Sequence, residues 1–132
     1  LIVWSKFMSA FFELRIYQVL PGKMQEWLSF MEDTIIPYQV KKGMVIHGSF
    51  VMDSSDEFSI QNGERIMNSE TKGNTYVWIR RFENKEHKEK LYKAVYESAD
   101  WMNDIGPKVA KLIDRNSIVV HNLTSTELSI MK

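Results

Sequence analysis

Phe12 to Val19 (FELRIYQV) alternates, with Phe12, Leu14 and Ile16 on one side and Glu13, Arg15, Tyr17 and Val19 on the other. Period two with Ile, Val and Tyr is a strand, and Pro21-Gly22 ends it. The period then changes. Met24, Trp27, Leu28, Met31, Ile35 and Tyr38 recur at three- and four-residue steps, drawing one apolar stripe on a helix. Pro37 predicts a kink or restart in that helix, and Lys41-Lys42-Gly43 predicts its end.

Met44 to Met52 reads as a second strand, with a bulge at Gly48. Residues 53–74 form a long polar connection with five acids and one Arg between Asp53 and Glu70, and Asn62-Gly63 between apolar residues predicts a short hairpin inside it. Thr75 to Phe82 (TYVWIRRF) is the clearest strand, with Tyr76, Trp78, Arg80 and Phe82 on one face. Asn84 then caps a helix whose Leu91, Ala94 and Val95 face inward. Asp100 reads as a second cap, and Gly106-Pro107 as a helical restart carrying Val109, Leu112 and Ile113. Ser117 to Leu123 is the last strand. Strand, helix, strand, strand, helix, strand is the order of an α+β ferredoxin-like βαββαβ domain: a four-stranded antiparallel sheet with both helices on one face. The other face would expose Tyr17, Trp78, Phe82 and several Val or Ile, so it needs a cover, and a second copy is the simplest one.

Composition narrows the function classes. The 132 residues carry 17 Lys+Arg against 17 Asp+Glu, which leaves no strong charge footprint for nucleic acid. There is no cysteine, hence no disulfide framework and no cysteine nucleophile, and a cytoplasmic setting is expected. No apolar run is long enough to span a membrane. Residues 1–11 are read as an N-terminal extension or leader, with Leu1 to Phe7 either upstream of a start at Met8 or a strand extension; 12–123 as the domain; and 124–132 as a tail that wraps over a surface or frays. The three His lie 40 and 34 positions apart, without metal-ligand spacing, so no metal site is expected.

Glu13-Leu14-Arg15-Ile16-Tyr17, then Leu20-Pro21-Gly22-Lys23 and Trp27, resembles the opening of NIPSNAP domains. Tyr76 to Phe82 resembles their third strand, and Leu91 to Tyr96 with Trp101 and Ile105-Gly106-Pro107 resembles their second helical region. The likeness runs from Phe12 to Thr126. It implies a dimeric α/β barrel, two ferredoxin-like sheets packed face to face with a pocket in each half. Relatives on that architecture include cofactor-free monooxygenases, muconolactone-type isomerases, haem-degrading enzymes and haem peroxidases. The long 53–74 segment departs from the compact connection such domains have.

In that barrel Arg15, Tyr17, Trp78 and Arg80 would point into the enclosed space, with Glu13, Tyr76 and Phe82 nearby. A buried charge needs a partner, so Glu13 is expected to pair with Arg15 or Arg80. Arg15 and Arg80 would hold an anion, Tyr17 would donate a hydrogen bond, and Trp78 would stack on a ring. His47 (beside Val45 and Val51) and His121 (beside Val119 and Leu123) are candidate general bases, together with Tyr17. The expectation is a homodimer binding a small aromatic or anionic ligand without a cofactor, with oxygenase or isomerase chemistry as its furthest extension; whether it is an enzyme stays open. One alternative is a non-enzymatic adaptor with a filled barrel, favoured by a pocket under roughly 300 Å³. Another is a haem-binding relative with an axial His.

Overall fold

The computed structural model describes residues 9–68 and 73–132. The expectation for Leu1 to Phe7 falls outside that description. Four strands, β1 (Phe11–Val19), β2 (Val45–Val51), β5 (Thr75–Phe82) and β6 (Ile113–Leu123), form one antiparallel sheet in the order β2-β5-β1-β6. That is the strand order of a ferredoxin-like α+β domain. Helical segments α1 (Met24–Phe30) and α2 (Ile36–Lys41) cross from β1 to β2, and α3 (Lys85–Tyr96) and α4 (Gly106–Leu112) cross from β5 to β6. Between β2 and β5 stands a separate hairpin, β3 (Phe58–Gln61) and β4 (Glu64–Met67). Asn62 and Gly63 both take positive φ at its turn (51° and 80°), the backbone an Asn-Gly hairpin demands.

The helices do not break at their prolines. Instead each crossover widens one turn ahead, at Met31–Ile35 and at Trp101–Ile105, where Ile36 N–H and Gly106 N–H bond to carbonyls five residues back. Pro37 and Pro107 follow directly. A wider turn relieves the clash between the proline ring and the preceding carbonyl, so the chain stays helical through both sites. Asp100 is not a cap, because its backbone is already helical; the Ser98 hydroxyl accepts from Trp101 N–H (3.2 Å) in its place. Asn84 caps α3 as expected, accepting from His87 N–H at 2.8 Å. β6 starts at Ile113, earlier than Ser117, because Ile113 pairs with Val19 while its side chain stays in the core.

Register decides which side each residue takes. Glu13, Arg15, Tyr17 and Val19 of β1, with Tyr76, Trp78, Arg80 and Phe82 of β5, lie beneath the helices. The main core joins Tyr17, Tyr76 and Trp78 to Trp27, Met31, Ile35, Ile105, Val109 and Leu112. The uncovered face is therefore the opposite one, carrying Phe12, Leu14, Ile16, Val77, Ile79, Val119 and Leu123, and this corrects the expectation that Tyr17, Trp78 and Phe82 lie on it. A register shift between Ile46 and Gly48 makes His47 the bulged residue of β2. It separates His47 from Val51, which pairs with Tyr76 on the helix side.

Candidate functional site

Beneath the helices two aromatic layers enclose an ionic cluster. Arg80 is fully buried, and its guanidinium donates to Glu13 Oε1 (2.6 Å), Gln39 Oε1 (2.8 Å), the Tyr96 hydroxyl (2.8 Å) and the Tyr92 hydroxyl (3.3 Å). It also lies over the Trp78 ring at 4.7 Å. Glu13 accepts in addition from Tyr92, from Lys88 (3.0 Å) and from Arg15 (3.4 Å). Burial alone would raise the Glu13 carboxyl; the Arg80 charge, hydrogen bonds from Tyr92 and Arg80, and Arg15 outweigh it and hold the carboxyl at about 2. The pairing of Glu13 with Arg15 and Arg80 is thus present. Both terminal nitrogens of Arg80 are spent on this cluster, while its Nε has no hydrogen-bond partner among the described residues. One carboxylate faces three cations here, so the cluster keeps an excess of positive charge on its Arg15 side.

Arg15 bridges the cluster and a cavity of about 140 Å³ between sheet and helices. Tyr17, Trp78, Trp27, Tyr96, Trp101 and Val109 are among the residues that line it, and both widened turns contribute to its wall through Met31, Ile35, Trp101 and Gly106. A Cβ on Gly106 would meet the Trp101 carbonyl oxygen at 2.9 Å and its ring at 3.2 Å, so only glycine lets the indole lie against this turn. Among the described residues three buried donors at the cavity find no partner: Arg15 Nε, Trp27 Nε1 and Trp78 Nε1. The Trp78 N–H falls short of hydrogen-bond geometry, although the Tyr17 hydroxyl is near enough to feel it. Burial raises the Tyr17 pKa, with Arg15 opposing, so this hydroxyl stays protonated and can donate. Among the described residues no Asp, Glu or His lines the cavity.

The other expected site residues lie elsewhere. Glu13 and Arg80 form the cluster beside the cavity, and Phe82 packs with Met44, Leu91 and Val95 in a second core. His47 and His121 stand on the uncovered sheet face, His47 edge-on to Phe12 at 5.1 Å, and neither reaches Arg15 or Tyr17. Trp27, Tyr96, Trp101, Gln39 and Arg115 were not singled out as site residues. Trp27 and Tyr96 read as packing because an aromatic on a helix stripe looks the same whether its polar atom is used or idle. A second, larger cavity of about 890 Å³ lies between α3 and the ends of β1 and β6, lined by Phe11, Lys88, Tyr92, Lys93, Tyr96 and Asn122 among others. Among the described residues no cluster of His, Asp and Glu suited to a metal comes together, and no helix is long and apolar enough to cross a membrane.

No family model matches the sequence, and no curated protein matches it either. Solved structures do. A NIPSNAP-like domain protein from Burkholderia xenovorans superposes with a TM-score of 0.71 at 17% identity, covering 92% of this chain and 90% of that one. A NIPSNAP family protein from Agrobacterium tumefaciens gives 0.68 at 20% identity, over 93% and 99% of the two chains. A second Agrobacterium tumefaciens NIPSNAP family protein, with unknown function, gives 0.69 at 18% identity over 95% and 96%. Sheet order and crossovers place the chain among α+β ferredoxin-like folds. Within that class its fold is NIPSNAP-like.

Proposed function

We propose that the protein binds a small ligand, one ring in size and carrying an oxygen acceptor, in the cavity between its sheet and its helices. The observation that carries this is the set of idle N–H donors on Arg15, Trp27 and Trp78 around one apolar space. An unpartnered buried donor costs roughly 1–3 kcal/mol, and an acceptor arriving in the cavity would recover that. Arg15 presents the charge, Tyr17 donates from its hydroxyl, and the indoles of Trp27 and Trp78 flank the ring. Arg80 supports Arg15 from behind through Glu13 and Tyr92. The volume fits this scale, since a buried space of about 150 Å³ accepts benzene. Oxygenase or isomerase chemistry would need a base in the cavity, and neither His47 nor His121 lines it, so binding is the reading favoured here.

The ligand titration is read on the indole N–H resonances by NMR, with phenol as the probe. Trp27 and Trp78 signals are expected to shift saturably, and Arg15→Met to weaken binding at least tenfold. Unmoved indole signals at millimolar phenol would overturn the reading. The adaptor reading has one observation in its favour: about 140 Å³ is below the roughly 300–1,000 Å³ of ordinary ligand sites. Neither of the two cavities described has a histidine among its described lining residues, so no observation favours the haem reading.

The same proposal includes a homodimer through the uncovered face. Phe50 and Val119 there are 52% and 45% exposed, around a centre of Leu14, Ile16, Val77 and Ile79. A twofold partner would cover both sheets at once. Light scattering that returns a monomer at micromolar concentration would remove this part.

A further inference from the structure

The sheet holds a second guanidinium at the same cavity. Between Ile16 and Gln18 of β1 the register of β6 slips, so residues 115–118 bulge opposite Tyr17. The bulge is pinned: Asn116 N–H donates to Asp114 Oδ1 (3.0 Å), Ser117 Oγ to the Asp114 carbonyl (2.5 Å), and Gln18 N–H to Ser117 Oγ (2.9 Å). Bulges re-aim side chains beside sites, and this one puts Arg115 on the cavity lining. Arg115 is exposed and has no hydrogen bond, ion pair or ring contact among the described residues. Arg15, by contrast, is largely buried and shares Glu13.

This asymmetry orients a ligand. A carboxylate loses much of its hydration in a buried site, whereas a neutral oxygen loses little. The full charge therefore belongs at the exposed guanidinium, and the neutral acceptor belongs among the buried N–H groups. We infer that the cavity takes a single-ring carboxylic acid bearing a second oxygen, with its carboxylate on Arg115 and the other oxygen facing Arg15 and Trp27, and that Arg115 sets the preference for acids. The inference rests on the cavity being a ligand site, as proposed above.

The test compares phenol with 3- and 4-hydroxybenzoate in the same indole N–H titration, on the unaltered protein and on Arg115→Gln. At least one hydroxybenzoate is expected to bind tenfold or more tightly than phenol. Arg115→Gln should erase that margin, and rising salt should shrink it, since an exposed pair is screened. Phenol binding with no hydroxybenzoate advantage, or an advantage that survives Arg115→Gln, overturns the inference and leaves the ligand cavity standing. No binding of any probe overturns both.

Discussion

The two faces of the sheet solve opposite problems with the same backbone. Beneath the helices lie Tyr17, Tyr76, Trp78 and Phe82, large rings around a buried Glu13–Arg80 pair, with Gln39 and two tyrosine hydroxyls closing the cluster. On the other side the centre is Leu14, Ile16, Val77, Ile79 and Val119, mid-sized and flat, with Phe12, Phe50 and Arg81 around it. A helical layer is ridged and accepts large rings into its grooves; a second sheet is flat and accepts β-branched residues. The proposed ligand site and the proposed self-association thus divide between the faces, the cavity on one and the apolar surface on the other.

The largest expected effect is on the covered face. Glu13→Gln leaves Arg80 and Arg15 without their carboxylate and should cost about 3–5 kcal/mol, read as a lowered denaturant midpoint. It should also change the response to acid. The Glu13 carboxyl sits at about 2 in the folded chain against an ordinary 4.5. Its contribution is whole above pH 4.5 and is lost as the pH falls towards 2. Urea melts across that window should show this loss in the unaltered chain and lack it in Glu13→Gln. An identical slope in both would show that the cluster does not couple folding to pH.

On the uncovered face the comparison sharpens differently. Ile79→Lys puts a cation at the centre of the apolar surface, and a twofold partner would bring two of them together at a cost of several kcal/mol. The expected result is dissociation to monomer in light scattering, with melting of the isolated fold little changed. A variant that stays dimeric would place the interface elsewhere. The smallest effect lies on neither face: Asn84→Ala removes the α3 cap and should cost about 1 kcal/mol in the melt.

Much of this was legible along the chain. Alternation in 12–19 and 75–82 gave both central strands and sorted their residues into two sides, and Asn62-Gly63 marked the hairpin turn. Which side the helices cover was not legible from alternation, because a period of two assigns parity and leaves the sign open. A signal was present, since the side with Tyr17, Tyr76, Trp78 and Phe82 is the bulkier and suits helices. The prolines mark a kink or restart in the sequence, and the structure meets each with a widened turn just ahead of it. Gln39 meets Arg80 across 41 positions and Tyr92 meets Arg15 across 77, separations that no local pattern spans.

The sequence by itself determined the main elements, their order and that Glu13 pairs with Arg15 or Arg80, because periodicity, turn chemistry and the cost of a buried charge are local or nearly universal. Only the tertiary structure decided which face holds the ions, that both terminal nitrogens of Arg80 are spent on the cluster, and that a bulge in β6 brings Arg115 to the cavity beside Arg15. Those outcomes depend on which strands are neighbours and on how helices settle over them. They are set by packing across the whole sheet, so no stretch of the chain carries them alone.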